Sequence, residues 1–181
     1  SNLDKSDPTY WAQVQAIEAS NLQVLGSGSR AQQKSINDLE TAYALKGAGL
    51  PVRKKFGYEE ESTSLGEHWV EVQSTLTQTA GQSRVVSSQG TSTKVIPPSI
   101  QAQIEDYTIR AANTLGLKDL SQVKFHYDTQ NNTLVISSIE ANPLTGNFQS
   151  LMGTSNADGV NPVDFLDNAI LSSMDRQTVS N

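Results

Sequence analysis

The sequence predicts an α+β fold, with a single antiparallel sheet of about five strands in hairpins and three to four packed helices, in the order ααβββαββα. Three observations support this prediction. Strand-like segments follow one another along the chain and are joined by short turns. Apolar residues recur at helical spacing before, between and after these segments. Strands and helices do not alternate one by one, which a doubly wound parallel sheet would require.

Two helices are expected at the start of the chain. Pro8 is suited to a first helical position, and the chain breaks after this helix at Gly26-Ser-Gly-Ser29. Gly47 and Gly49 are stop signals for the second helix. Its apolar stripe is expected to consist of Ile36, Leu39 and Tyr43.

Two further helices are expected later in the chain. One begins after Pro97-Pro98 and ends at Gly116, a residue suited to a helix C-cap. The apolar stripe that should pack this helix on the sheet is Ile100, Ile104, Tyr107, Ala111 and Leu115. The last helix is predicted from Asn161 onward.

The strands are expected where β-branched and aromatic residues cluster. From Trp69 onward, apolar and polar residues alternate, which is typical of a half-buried strand. Turn residues then separate short apolar runs. The expected strands are 69–77, 84–87, 94–96, 123–127 and 133–137.

The chain has 181 residues, enough for one domain with a real core. We expect residues 1–181 to form a single domain in four parts. These are a helical pair at 7–50, a mobile linker at 52–67, an α+β core at 68–175 and a frayed tail at 176–181. The linker is predicted because its basic and acidic triplets show no apolar period.

Composition excludes several functions. The net charge of −6 disfavours nucleic acid and anionic membrane as partners, because phosphate binding requires a surplus of Lys and Arg. No apolar run reaches the about 18 residues of a membrane span, so membrane insertion is not expected. The absence of Cys excludes disulfides, thiolate zinc sites and a cysteine nucleophile. A polar, Cys-free chain leans toward a periplasmic or secreted location. A signal peptide or anchor could have been removed before Ser1.

The histidines leave two interpretations open. His68 and His126 both lie in or beside predicted strands, and they would form half of a metal site if those strands were neighbours. The alternative is that each is a surface or edge histidine, and no His-rich motif favours a metal. No acid, base and nucleophile converge in the sequence, so no catalytic residue is assigned. The enzyme question stays open, leaning toward no catalysis.

Two stretches resemble D-alanine–D-alanine ligases of the ATP-grasp family. The first is EASNLQVLGSGSRAQQKSINDLETAYALKGAGLPV at 18–52, where a Gly-Ser turn precedes a helix and Gly-Leu-Pro-Val follows. The second, AANTLGLKDLSQVKFHYDTQNNTLVISSIEANPLTGNFQSLM at 111–152, is similar to the C-terminal stretch of that family. A Glu-x-Asn at a strand end holds magnesium in that family. The resemblance therefore implies that Glu140 and Asn142 are ligands.

The chain also departs from this pattern. Lys124 stands where the family has another metal-binding aspartate, and the family's Asp-Lys pair reads Asn37-Asp38-Leu39. The family's middle domain, which supplies lysines to the nucleotide, has no room between Val52 and Pro97. We therefore expect no tightly bound divalent metal at this strand end. In the predicted hairpin, Lys124 could pair with Glu140 instead.

These observations lead to two functional interpretations. The leading one is a non-catalytic binding or structural domain of an exported or envelope-associated protein. It would have a protein partner, the option of homo-oligomers, no cofactor and no metal. The alternative is a degenerate ATP-grasp-like, D-alanine–D-alanine ligase-like relative that binds a nucleotide near Glu140 and Asn142.

Overall fold

The computed structural model describes residues 8–20, 29–54, 56–57, 68–79, 82–90 and 95–141. Within these ranges the chain forms four helices and four strands, which confirms the α+β class. In chain order they are α1 (Pro8–Ala19), α2 (Ser29–Ile36), α3 (Asp38–Gly47), β1 (Trp69–Thr79), β2 (Gln82–Gly90), α4 (Pro98–Leu115), β3 (Leu120–Asp128) and β4 (Thr133–Glu140).

The strands form one antiparallel sheet in the spatial order β2-β1-β3-β4. Consecutive strands form two hairpins, and the pairing of β1 with β3 joins the hairpins into one sheet. In the register, Val72 faces Phe125 and Phe125 faces Ile136. All three side chains are fully buried, so they mark the face of the sheet on which the core is built.

Helix α4 covers this apolar face, as the sequence predicts. It begins with Pro98 at its first position and ends at Gly116, whose φ of 71° is the left-handed conformation that glycine adopts without strain. Four of the five predicted stripe residues are buried and Tyr107 is half-buried. A buried polar link adds to this packing, since Thr108 Oγ1 on α4 lies 2.9 Å from Ser74 Oγ on β1.

The predicted second helix is in fact two helices, α2 and α3, which are separated by Asn37. Asn37 has an extended backbone, with φ −86° and ψ 92°, and its side chain accepts a hydrogen bond from Glu40 N at 3.2 Å. Asn37 is therefore the N-cap of a new helix rather than an interior helical residue. The buried Thr41 hydroxyl donates to the Lys34 carbonyl and thereby joins the two helices.

The break at Asn37 makes the predicted stripe wrong at Leu39 and Tyr43, while the side chain of Ile36 lies outside the part that the structure describes. Leu39 and Tyr43 are each 68% exposed, whereas Thr41 and Leu45 are fully buried. Because α3 starts anew after Asn37, the residues that face the core are set by its own packing rather than by continuation of the α2 period.

A short segment lies along the outer edge of β4. The backbone N–H of Ile136 donates to the Pro51 carbonyl at 2.9 Å, and Arg53 N–H donates to the Ile136 carbonyl at 2.9 Å. Further along, Gly57 N–H donates to the Ser137 carbonyl at 2.8 Å. These bonds occupy backbone groups that would otherwise be open at a sheet edge.

The sheet has four strands in the described part of the chain rather than about five. Val95 and Ile96 of the predicted strand 94–96 are not in a strand, and Val95 is 91% exposed. The two prolines that follow restrict the preceding backbone and lack N–H donors, so they favour an extended entry into α4 over a strand. Lys94 lies outside the described residues.

Other predictions also fall outside the described residues. They concern the last helix from Asn161, the tail at 176–181 and most of the linker at 52–67. The division into a helical pair, linker, core and tail therefore stays a prediction. Among the helices that the structure describes, none has the length and apolar character needed to span a bilayer.

Candidate functional site

The face of the sheet opposite α4 carries polar side chains. In β1 and β3 the sequence alternates, so that Val72 and Phe125 point into the core while their neighbours point to the other side. We call this surface the polar face and define it by Glu71, Gln73, Gln122, Lys124, His126, Ser138 and Glu140.

Much of the polar face is buried. Gln122 and His126 are each 5% exposed, and Lys124 and Glu140 are half-buried. Gln122 Nε2 lies 3.4 Å from Thr75 Oγ1, at the long end of hydrogen bonding. Polar groups removed from water in this way need partners within the protein.

Glu71 on β1 is one of the two carboxylates of this face. It lies opposite His126 in the register, and the distance from its Oε2 to His126 Nε2 is 3.8 Å. That separation is longer than a regular hydrogen bond, so we treat the contact as an electrostatic one. The His126 imidazole is the largest cause that lowers the pKa of Glu71, and the positive charge of Lys124 lowers it further against the opposing effect of burial.

An aromatic side chain lies against the histidines. The Trp69 ring is centred 6.5 Å from His126, edge to face, and 6.0 Å from His68. His126 is therefore a buried residue on an interior strand, so the interpretation as a surface or edge histidine is wrong for it. Within the described residues no three His, Cys, Asp or Glu side chains converge as metal ligands.

Lys124 and Glu140 share the polar face, and the predicted hairpin between their strands is confirmed. Lys124 lies opposite Ser138, while Glu140 lies opposite Gln122, so the two charges are diagonal neighbours. Diagonal side chains of this length are within reach of each other. Asn142, the second residue of the resembling Glu-x-Asn motif, lies outside the described residues.

The charges on this face do not suit a dication. Glu71 and Glu140 supply two carboxylates to this face, and Lys124 supplies an ammonium group. The ammonium of Lys124 is placed between both carboxylate strands, and it opposes a divalent cation by several kcal/mol at an effective dielectric constant of about 20. A magnesium site requires hard oxygen ligands that converge with near-octahedral geometry. The described residues do not fit such a site.

Sequence reasoning did not find Glu71. The signal that could have found it is the alternation Val70-Glu71-Val72, which places Glu71 on the face opposite the core. The register that brings Glu71 to His126 and Lys124 joins residues more than 50 positions apart, and no local pattern contains that information.

The fold can be compared with solved structures. The chain is similar to the D-alanine–D-alanine ligase of Coxiella burnetii, with a TM-score of 0.77, 15% identity and coverage of 93% of this chain and 65% of the ligase. The ligase of Bacillus anthracis complexed with ATP gives a TM-score of 0.72, 10% identity and coverage of 92% and 74%. Biotin carboxylase from Campylobacter jejuni gives 0.69, 10% identity and coverage of 90% and 51%.

No protein-family model matches the sequence, and no curated protein matches it. The likenesses to solved structures therefore establish the fold alone, which is that of ATP-grasp enzymes. The chain spans from about half to three quarters of the length of these structures.

This finding corrects the leading interpretation of the sequence. A non-catalytic binding or structural domain is contradicted, because the structural neighbours are ATP-grasp enzymes. They favour the alternative interpretation, an ATP-grasp-like relative.

Proposed function

We propose that this protein is a degenerate ATP-grasp-like relative that binds an adenine nucleotide on the polar face of its sheet. The observation that carries the proposal is the likeness to D-alanine–D-alanine ligases over about nine tenths of the chain. One of those ligases was solved with ATP, and β4 of this chain ends at Glu140 in the stretch that resembles their metal-binding motif.

The chemistry of the polar face supports a modified mode of binding. Lys124 replaces an acidic ligand of the resembling family and offers an ammonium donor in its place. Lysine binds phosphate as a point charge through up to three N–H donors. The phosphates of the nucleotide would therefore be met by a side chain of the protein rather than by a metal ion that Glu140 holds.

Binding to Lys124 has a competitor within the protein. The charge of Lys124 acts on Glu71, as the lowered pKa of that carboxyl indicates. A phosphate must share or replace this interaction, so we expect an affinity weaker than that of a site with uncompensated cations. Glu71 would then set the orientation of Lys124 in the absence of nucleotide.

Thermal unfolding with increasing ATP or ADP tests the proposal. A ligand that binds only the folded state raises stability by about 2.7 kcal/mol at a hundredfold excess over its dissociation constant. We expect both nucleotides to raise Tm, and Lys124→Gln to reduce the shift. Lys118→Gln removes the same charge at an exposed position and should leave the shift unchanged. Equal shifts in all three proteins would argue against the polar face.

The partner predictions remain part of the proposal. The net charge of −6 supports a small phosphate ligand over nucleic acid, because a nucleic acid requires many cations in a row. A protein partner and a homo-oligomer are separate predictions. Sedimentation of the purified chain over a range of concentrations tests the second of them.

A further inference from the structure

A cavity of about 420 Å³ lies between α3 and the residues Arg53, Lys54 and Phe56. This volume is within the range of small-molecule sites. Three cationic side chains line it, Lys46, Arg53 and Lys54, together with one acidic side chain, Asp38. None of these residues belongs to the polar face, and the backbone of Arg53 is hydrogen-bonded to Ile136 of the edge strand β4. The cavity is therefore distinct from the polar face in the residues that line it.

The acidic residue of the cavity does not neutralise the cations. The Asp38 carboxylate lies directly against Gly57, where a Cβ would overlap it. Gly57 has a φ of 81°, so the position suits glycine both by conformation and by space. Burial raises the pKa of Asp38, which is the opposite of what a close cation would do.

Two of the cations are available to a ligand. Lys46 and Lys54 are both exposed, and neither forms an ion pair with a residue that the structure describes. The local excess of positive charge contrasts with the net charge of −6 of the whole chain. In an acidic protein such a local excess favours an anionic ligand at that place.

The remaining wall of the cavity is apolar. Leu39 and Tyr43 are each 68% exposed and are four residues apart on α3, so they lie side by side. Phe56 is buried and forms part of the floor. Exposed Leu and Tyr side chains beside cations provide an apolar surface on which a planar group can pack.

We propose that this cavity binds an aromatic phosphomonoester, with its phosphate on Lys46 and Lys54 and its ring on Leu39 and Tyr43. A phosphomonoester carries a charge of about −1.5 to −2 at pH 7. This charge matches two ammonium groups better than the single negative charge of a carboxylate ligand would. The proposal is independent of nucleotide binding at the polar face, because it uses none of the same residues.

Isothermal titration of the full chain with phenyl phosphate tests this assignment, with benzoate and phenol as matched probes. Phenyl phosphate should bind with a stoichiometry of one, benzoate more weakly and phenol not measurably. Lys46→Gln and Lys54→Gln should each weaken binding about three- to fivefold, as expected for exposed ion pairs. The double variant should lose more than either alone. Rising salt should weaken binding in the wild type.

One further cavity variant and two control variants complete the test. Leu39→Ser changes a side chain that is exposed on α3, so the variant should fold normally. It should nevertheless bind phenyl phosphate more weakly than the wild type does, because the ring loses an apolar contact. Lys118 and Glu105 lie outside the cavity, so Lys118→Gln and Glu105→Gln should bind phenyl phosphate as the wild type does. The proposal is overturned if phenyl phosphate fails to bind at millimolar concentration, if benzoate binds equally well, or if Lys118→Gln weakens binding as much as the cavity variants do.

Discussion

The two charged regions of this molecule differ in how their charges are compensated. On the polar face, Glu71 interacts with both His126 and Lys124. In the cavity, Asp38 packs against Gly57 and leaves Lys46 and Lys54 exposed. Charges that already have partners hold a buried face together, and a ligand must exchange with them. Lys46 and Lys54 form no ion pair with a residue that the structure describes, so a ligand can contact them directly. The one lysine of the polar face, Lys124, is therefore half-buried beside a carboxylate, whereas the two lysines of the cavity are exposed.

The largest expected effect tests the core on which both regions depend. Ile104→Asp should unfold the protein, because it buries an unpaired charge at a position with no exposed surface. We expect a loss of about 4 kcal/mol or more in the free energy of unfolding, measured by urea denaturation. Gln103→Asp, at the exposed neighbouring position, should change stability little. A cooperatively folded Ile104→Asp protein would contradict the packing of α4 on the sheet.

The next effect concerns the cavity side of the comparison. Gly57→Ala should cost about 1–3 kcal/mol, because a Cβ there meets the Asp38 carboxylate and the φ is positive. The displaced Asp38 should also compete for the lysines and weaken phosphate binding. Gly47→Ala is the control, since its Cβ would meet nothing within 4 Å and should stabilise the helix by about 0.5 kcal/mol. Equal melting temperatures for the two variants would show that Asp38 is not held as described.

A smaller effect tests the polar face, where Glu71 interacts with His126 and Lys124. Glu71→Gln should lower the free energy of unfolding by about 1 kcal/mol, because His126 and Lys124 lose their anionic partner. The same change removes the competitor for Lys124 and should therefore strengthen ATP binding. Glu105→Gln, an exposed carboxylate on α4, should alter neither quantity. If Glu71→Gln weakened ATP binding, Glu71 would be part of the nucleotide site itself.

The pH dependence of stability follows from the same carboxylate. Its pKa is lowered in the folded state from an ordinary value of 4.5, so the unfolded chain binds the proton more readily. The contribution of Glu71 is therefore present above pH 4.5 and is lost as pH falls through the folded pKa. Over this pH range, the free energy of unfolding of Glu71→Gln should change less steeply with pH than that of the wild type. Identical slopes would contradict the interaction with His126 and Lys124.

The smallest effect sharpens the contrast by restoring the pattern of the resembling family. Lys124→Asp places a carboxylate on the same face as Glu71 and Glu140. We expect lower stability without metal and a gain of magnesium binding, because like charges repel until a dication joins them. Calorimetry with MgCl₂ should show weak or no binding in the wild type and measurable binding in the variant. Tight binding by the wild type would contradict the role given to Lys124.

Local sequence patterns predicted the parts of the fold that depend on nearby residues. The extent of α4 follows from Pro98, Gly116 and the apolar stripe between them, and the hairpin of β3 and β4 follows from two strand-like runs joined by turn residues. The sequence analysis missed the break at Asn37 because an Asn within a helical pattern is only a weak signal that one helix ends and another begins. In the structure, the Asn37 side chain accepts a hydrogen bond from the Glu40 N–H, and this bond makes Asn37 the N-cap of α3.

The site was less accessible to sequence reasoning. Glu140 and Lys124 were identified through a resemblance, and the register then placed them as diagonal neighbours. Glu71 joins them through the pairing of β1 with β3, which is a long-range contact. The cavity depends on the start of a new helix after Asn37 and on the backbone hydrogen bonds that Pro51, Arg53 and Gly57 form with β4. Neither arrangement can be predicted from the local spacing of apolar and polar residues.

Isothermal titration of ATP into the wild-type chain, with magnesium and with EDTA, tests the central claim most directly. We predict saturable binding with a stoichiometry of one, retained within about tenfold when EDTA removes the metal, because Lys124 supplies the positive charge that meets the phosphates. The complete absence of binding by ATP and ADP in both buffers would contradict nucleotide binding. Binding that is lost in EDTA and in Glu140→Gln would contradict the replacement of the metal by Lys124.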